Sequence, residues 1–307
     1  VPERGRGAPT GIVAVTGATG FLGSALLPAL RTDGWTPRAV VRGTAGPGEV
    51  LWNPAAGTLD HAALEGVDAA VHLAGESIAA GRWTAETKRR IRDSRILGTR
   101  LLAESLARLM RRPRVLVAAS AVGIYGDRGD ELLSEDSPLG SDFLAEVGKE
   151  WEAATKPATD AGIRVVSLRF GIILAREGGA LPRMVRPFML GAGGPIGSGR
   201  QWMSWIAQVD AIATVLESLR NERARGPINA VAPEAARNAA FAAAVGTTLH
   251  RPALIPAPAF ALRLLYGEMA DAALLASQRV VPTRLEALGF RFRHPTLTEA
   301  LGVILGR

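Results

Sequence analysis

The 307-residue chain contains no cysteine. Disulfides, thiolate nucleophiles and cysteine-ligated metal are therefore excluded. Lysine is nearly as scarce: Lys88, Lys149 and Lys156 are the only three, so all but three of the 36 basic residues are arginine. Tyrosine is limited to Tyr125 and Tyr266, and aromatic residues make up 5% of the chain. Long apolar runs are missing too. The most apolar late stretch, 252–266, is interrupted by prolines and Arg263, which argues against a membrane span. Residues 1–9 are charged and rich in Gly and Pro, without the apolar core of a signal peptide, and read as a flexible extension. The four histidines form no close pair or acidic–histidine cluster, so no metal is expected. These absences point to a soluble, cytoplasmic protein.

What is present suits a globular fold: 48% hydrophobic residues, 21% charged and no low-complexity tract. The length allows one large domain or two smaller ones. A net charge of +7 raises the question of nucleic acid. The arginine bias, together with abundant Ala and Gly, matches the codon usage of a GC-rich genome. The one dense basic stretch, 88–95, leads into an amphipathic helix rather than interleaved aromatics, so no nucleic-acid partner is expected. A basic cleft for phosphate-bearing small molecules accounts for the charge more simply.

The apolar run 11–15 leads into Thr16-Gly17-Ala18-Thr19-Gly20-Phe21-Leu22-Gly23, and an amphipathic helix follows to about Arg31. In this strand–turn–helix order Gly17 permits a sharp turn. Gly20 lets the backbone approach a pyrophosphate, and Gly23 lets the helix pack on its strand. Phosphates then meet the free N–H groups and positive end of the helix. Dinucleotide binding is expected, with Thr19, Phe21 and Leu22 completing the contact. The second strand, about 36–41, ends at Val41-Arg42-Gly43. No acid lies between Asp33 and Glu49, whereas Arg38 and Arg42 do. An acid at this strand end holds a ribose 2′-hydroxyl, and an arginine accommodates a 2′-phosphate, so NADP is expected over NAD, with Arg42 as the reader.

Strand-like runs recur at 12–16, 38–41, 50–52, 69–73, 115–119, 164–168 and 228–231. Helical periodicity lies between them, at 21–31, 85–110, 143–161 and 209–219. The alternation implies an α/β fold, a Rossmann-like doubly wound parallel sheet with ligands at the carboxyl ends of its strands. After Leu174 the rhythm fails. We read a nucleotide lobe over 10–174 plus a returning strand near 227–232, and a smaller, mostly helical substrate lobe over 175–226 and 233–307. Leu73, Ala74, Gly75 and Glu76 end a buried strand and form an expected cofactor wall. Glu76 is either an acid/base or a ribose contact. Trp52 and Asn53 flank the adenine unless Trp52 is core. His72 reads as a buried structural histidine.

The chain resembles the extended short-chain dehydrogenase/reductases, and more narrowly the branch called epimerase family proteins (NAD-dependent epimerase/dehydratase family) with its C-terminal domain of unknown function. The resemblance rests on VTGATGFLG, VHLAGESI, SRILGTRLL, SAVGIYGDRGDE, DFLAEVGKEWE, LRFGIIL and LGAGGPIGSGRQWMSWI, and covers nearly the whole chain from Gly11. It implies a Ser/Thr, a Tyr and a Lys around the nicotinamide. Transferred by position, the Lys falls on Lys149, but the Tyr falls on Ala145 and the Ser/Thr on Ala121, with Ser120 beside it. The helix Asn falls on Arg95. The usual tyrosine is thus missing. Tyr125, after the fifth strand, is either the substitute acid or a packing residue of its loop. Lys149 and Arg95 are expected against the cofactor, and Ile173 beside it. The glycine-rich loop 190–200 resembles a lid, Trp202 and Trp205 line a substrate pocket or the core, and Asp210 is expected to cap a helix.

The resulting expectation is an NADP(H)-binding oxidoreductase acting by hydride transfer on a small alcohol, carbonyl or sugar nucleotide, with Tyr125, Ser120 and Lys149 as its catalytic set. The chain is expected to be a monomer or homodimer. The alternative is a cofactor-binding sensor or scaffold with little chemistry.

Overall fold

The structure, a computed structural model, describes residues 11–79 and 81–306, so the expected extension at 1–9 lies outside the described residues. The chain opens with β1 (Gly11–Thr16), α1 (Phe21–Thr32), β2 (Trp35–Val41), β3 (Val50–Asn53), β4 (Thr58–Leu59), α2 (His61–Leu64) and β5 (Ala69–His72). There follow α3 (Ala85–Arg108), β6 (Val115–Ala121), a 3-10 turn at Val122–Tyr125, β7 (Leu132–Leu133), α4 (Phe143–Ala153), α5 (Lys156–Asp160), β8 (Arg164–Phe170) and β9 (Ile172–Leu174). The remainder comprises α6 (Leu181–Met189), β10 (Trp202–Met203), β11 (Trp205–Ala207), α7 (Gln208–Arg220), β12 (Gly226–Ala230), β13 (Ala236–Arg237), α8 (Asn238–Leu249), α9 (Ala259–Tyr266), a π-helical turn at Ala270–Leu275, β14 (Arg279–Val280), α10 (Thr283–Ala287) and α11 (Leu297–Leu305).

Eight strands form one sheet in the order β12-β8-β6-β5-β1-β2-β3-β4, parallel except where β4 turns back on β3. From β1 the chain winds outward through β2 and β3. It then returns to the other side of β1 as β5 and winds outward again, so the order reverses between β1 and β5. Such a reversal opens a crevice above the strand ends, where ligands of this architecture bind. The doubly wound α/β fold expected from the sequence is the one observed.

Pleating explains why the inner strands read as continuous apolar runs. Val13 and Val15 of β1 pack on one face with Leu22, Leu26 and Leu30 of α1, while Ala14 packs on the other with Leu102 and Leu106 of α3. A strand covered on both faces has no polar alternation to show. Each fully buried leucine contributes about 1.5–3 kcal/mol, so the two layers hold the crevice rigidly. Helix α7, in the stretch read from sequence as substrate lobe, packs Ala211, Val215 and Leu219 into the same layer as α1.

The helix expected over 143–161 is two helices. Pro157 has no N–H to give, and its ring would press on the carbonyl of Ala153 four residues back, where α4 stops. Beyond Leu174 helices alternate with short strands. Short pairs β9–β11 and β7–β14 stitch the second lobe to the first, while β10–β13 lies within the second lobe. The glycine-rich segment 190–200 is paired within the second lobe. Ile255 donates its amide to the Gly193 carbonyl, Ala257 to Pro195, and Gly197 to Ala257. The expected lid is thus a backbone-paired edge.

Candidate functional site

The crevice is built around the glycine turn. Gly17 has φ +67°, and a Cβ there would lie 2.9 Å from the Ala74 amide nitrogen at the end of β5. A Cβ on Gly23 would overlap the Gly17 carbonyl oxygen. A Cβ on Gly20 would meet only that same oxygen, at 3.1 Å, and otherwise faces open space. Gly17 and Gly23 therefore make the turn and the close packing that their spacing implied, and Gly20 leaves its side of the turn open. Gly20 stands at the N-cap of α1 without a side chain to cap it, and the first turn holds no acid. The uncapped N–H groups of that turn and the positive helix end suit a phosphate.

Thr16 ties the two strand ends at the crevice. Its hydroxyl accepts from the amides of Leu73 (3.2 Å) and Ala74 (3.3 Å) and lies 2.7 Å from His72 Nδ1. With two amides donating to it, the hydroxyl gives its own hydrogen to Nδ1, so His72 is the neutral Nε2–H tautomer. The ring is fully buried, edge-on to Trp52 at 6.0 Å between centroids, and burial pulls its pKa down to about 4. His72 is structural, as expected. An unfolded histidine protonates near pH 6.5, so the unfolded state takes up this proton first. Stability is then lost as pH falls from about 6.5 towards 4, by no more than about 3 kcal/mol. His72→Asn keeps an acceptor and does not titrate. Denaturation midpoints of that variant should vary less with pH across this window than those of the parent.

At the ends of β2 and β3, Arg42, Gly43, Leu51, Trp52, Asn53 and Thr58 line a concavity of about 350 Å³. The two arginines considered from sequence separate here. Arg38 donates to the carbonyls of Ala63 (2.7 Å) and Glu65 (3.1 Å), closing α2. Arg42 is exposed and makes no hydrogen bond or ion pair among the described residues. Trp52 is 3% exposed and serves as core beneath the concavity while closing one side of it.

The opposite wall, Gly75-Glu76, is fixed by α3. Ser94 Oγ accepts from the Glu76 amide at 3.0 Å, and Arg95 donates to the Glu76 and Ile91 carbonyls, both at 3.0 Å. The Arg95 guanidinium stacks 5.0 Å from the Trp151 ring, which Thr99 holds in turn through the indole N–H at 2.9 Å. Burial lowers the Arg95 pKa to about 10. The Glu76 carboxylate points to Arg90, 3.5 Å away. Ile173 sits on β9, packed against the main core, while Val41 ends β2. The rings of Phe21 and the turn at Gly178 and Gly179 are in contact, since a Cβ at Gly179 would lie 3.0 Å from that ring.

The expected catalytic set is not assembled at one point. Ser120 is 3% exposed and donates to Glu152 at 2.7 Å. Arg169 holds the same carboxylate with two bonds of 2.8 Å and donates to the Tyr125 hydroxyl at 2.9 Å. That hydroxyl donates to Asn229 Oδ1 at 2.7 Å, and Tyr125 is fully buried. Burial raises the Tyr125 pKa. With both its lone-pair and proton positions engaged inside the fold, Tyr125 has no face for a substrate, which corrects the expectation of a substitute acid. Ser120 is likewise turned inward. Burial opposes the charge on Arg169, and Glu152 more than offsets it. Lys149 lies outside this network, about one-third exposed, with its ammonium 2.7 Å from Glu146. Ala145, one turn before it, is buried, and Ala121 is exposed.

Two further expectations change. Asp210 does not cap α7. It is the third residue of that helix, fully buried, and accepts from the amides of Arg293 (2.7 Å) and His294 (3.0 Å). Trp205 is core, fully buried, whereas Trp202 is partly exposed with Arg237 and Arg279 at 4.5 and 4.6 Å from its ring. The residues missed altogether are Glu152, Arg169, Asn229 and Glu135. One signal was available: Arg169 interrupts the apolar strand Leu168-Arg169-Phe170, and a buried charge demands a partner.

Among the described residues, no helix is long and apolar enough to cross a membrane. Comparison with known proteins adds relatives along most of the chain. Residues 257–304 match a domain of unknown function, DUF1731. An epimerase family protein of Mycobacterium bovis is 42% identical over 292 residues, covering 95% of this chain and 96% of that one. The crystal structure of human epimerase family protein SDR39U1 with NADPH superposes with a TM-score of 0.88 at 36% identity, covering 95% of this chain and 98% of that chain. A nucleoside-diphosphate sugar epimerase from Corynebacterium glutamicum superposes with a TM-score of 0.82 at 38% identity. It is longer: the match covers 97% of this chain and 59% of that one. The family model of NAD dependent epimerases and dehydratases matches residues 13–231, from within β1 to just past β12. A match that runs through every strand of the central sheet leaves one conclusion: the chain belongs to the NAD dependent epimerase/dehydratase family.

Proposed function

We propose that the chain binds NADP(H) in the β1/β5 crevice and acts by hydride transfer on a small alcohol, carbonyl or nucleotide sugar. The observation that carries the cofactor reading is Arg42, exposed on the concavity at the ends of β2 and β3 and bound to nothing else among the described residues. A 2′-phosphate on the adenosine ribose suits a free guanidinium there, and the uncapped start of α1 suits the pyrophosphate. The NADPH-bound human relative supports the same choice. Bound in this way, the cofactor supplies or takes the hydride. Gly75 and Glu76 would lie along its ribose, and Lys149 would hold the nicotinamide ribose hydroxyls. With Ala145 and Ala121 in place of hydroxyl-bearing residues, and Tyr125 and Ser120 turned inward, Lys149 is the proton-bearing group that this reading places beside the substrate.

Titration should show NADPH binding at least tenfold tighter than NADH, a difference of about 1.4 kcal/mol or more. Arg42→Asp should erase the gap by lowering NADPH affinity. Equal affinity of the parent for both cofactors would overturn the reading. The missing hydroxyls at Ala145 and Ala121 favour one second reading, a protein that binds the cofactor and does little chemistry. Tight NADPH binding with no hydride transfer across a broad panel of carbonyls, alcohols and nucleotide sugars would decide for it.

A further inference from the structure

Arg42 serves the ends of β2 and β3. Past the ends of β6, β8 and β12, on the opposite half of the sheet, stands a second group of arginines. Four segments are joined there by short bonds. The Trp202 amide donates to Ser277 Oγ at 3.0 Å, and its carbonyl accepts from the Gln278 amide at 3.1 Å. Gln278 Nε2 donates to the Gly126 carbonyl in the loop after β6, at 3.2 Å. Trp202 pairs with Arg237 of β13, and Ile172, just past β8, donates to the Ser204 carbonyl at 2.8 Å. A dinucleotide laid across the crevice from the β2 side points its second half this way.

This frame holds two guanidiniums against one indole. Arg237 and Arg279 lie 4.5 and 4.6 Å from the Trp202 ring. Like charges so placed repel each other unless an anion joins them. Asp130 is that anion for Arg237: it accepts from the Trp202 indole N–H at 2.7 Å and from Arg237 at 2.9 Å. The indole bond first, then Arg237 and Arg200, hold the Asp130 carboxyl below its usual range. The other charges of the loop are engaged nearby. Arg128 holds Glu131 at 2.6 Å, and Asp127 accepts from the Ser277 and Gly129 amides. Glu234, exposed between β12 and β13, bonds to none of the cluster. None of these carboxylates reaches Arg279, whose partly exposed guanidinium makes no hydrogen bond or ion pair among the described residues. An open guanidinium fork beside an aromatic ring matches a carboxylate, with two parallel N–H bonds to its two oxygens. Asp130 shows that the cluster accepts this group, and it also limits the charge. A phosphate dianion, or the diphosphate of a nucleotide sugar, would crowd a larger negative charge against Asp130.

On the hydride-transfer reading above, which this narrows to one substrate class, we propose that Arg279, backed by Trp202, binds a carboxylate of the substrate. The carbonyl or alcohol turned over then belongs to an oxo or hydroxy acid. The probes are acetoacetate, levulinate, 2-oxobutanoate and 4-carboxybenzaldehyde, each beside its methyl ester, with dihydroxyacetone phosphate and UDP-glucose. Saturation-transfer NMR titration, with and without NADPH, reads binding apart from turnover. At least one acid should bind at least tenfold tighter than its ester. Arg279→Met should remove that ratio by weakening the acid and not the ester, and Arg279→Lys should recover part of it. NADPH affinity should be unchanged in both variants, and in the coupled assay Arg279→Met should raise KM for the acid far more than it lowers kcat. Circular dichroism melts check that the variants fold, and the acid-to-ester ratio of the parent needs no variant. A parent that prefers no acid to its ester overturns the proposal, as does a preference that survives Arg279→Met. Tighter binding of the phosphate or the nucleotide sugar than of every acid, lost in Arg279→Met, also overturns it and assigns the cluster to phosphate. Failure of NADPH to bind would overturn the cofactor reading instead, and the titration without cofactor still decides for or against Arg279.

Discussion

Arg169→Met is expected to destabilise the protein by about 3–5 kcal/mol, measured from the shift of urea denaturation midpoints at constant m. The reason lies in what remains behind. Arg169 is 4% exposed at its side chain and Glu152 18%, and two short bonds join them. Removing the guanidinium leaves a carboxylate that, among the described residues, has only Ser120 to accept from, in a region that water barely reaches. The Tyr125 hydroxyl loses a donor at the same time. Tyr125→Phe removes less: one buried hydroxyl between Arg169 and Asn229, worth about 1–3 kcal/mol. The ordering is the informative outcome. A loss below 1 kcal/mol for Arg169→Met would mean that the network is open to water and the ion pair marginal. A large loss of hydride transfer in Tyr125→Phe with unchanged stability would reinstate the phenol as an acid.

The second large effect concerns turnover. With any substrate that the cofactor-linked screen identifies, Lys149→Met should lower kcat by about 10²–10⁴-fold, the range associated with removing a positioned proton donor. Lys149→Arg should not restore it, because a planar guanidinium fork does not present the compact, rotatable ammonium that this position supplies. NADPH affinity should fall much less than turnover, since the glycine turn and Arg42 carry most of that contact in the reading proposed above. Undiminished turnover in Lys149→Met would remove the lysine from the chemistry and direct attention to Glu76, the acid next to the cofactor wall.

The glycine turn, the strand alternation and the reversal of strand order were legible in the sequence because each is local. A turn residue acts on its neighbours, and a strand buried on both faces is apolar along its length. Arg38 and Arg42 show where locality ends. Arg38 lies on β2 and Arg42 just past its end, and composition does not distinguish them, yet one closes α2 and the other faces open space. The interior network was illegible for the same reason. Ser120, Tyr125, Glu152, Arg169 and Asn229 are joined across separations of up to 104 residues, so no window of sequence contains the set. The break at Pro157 was not legible from residue type alone, since α1 and α6 each carry a proline, Pro28 and Pro187, inside the helix. The glycine-rich segment misled in the other direction. Glycines that look like freedom are needed where backbones approach closely, as at Gly194, whose Cβ would collide with the Ile255 backbone.

The stitching between lobes bears on how the chain is made. The loop after β6 receives its partners late: Asp127 accepts from the Ser277 amide, Arg128 donates its own to the Ser277 carbonyl, and Glu135 accepts from the Arg284 amide. Among the described residues, β7 pairs only with β14. On a ribosome, the first half of the sheet can emerge and settle while these partners are still untranslated. This loop cannot take its final shape until the segment from Ser277 to Arg284 has left the exit tunnel, and such distant closures fold slowly. A nascent chain stalled before Ser277 should therefore expose the 126–136 loop to protease even though its strands are already protected. The loop after β6 is thus shaped by residues about 150 positions further along the chain.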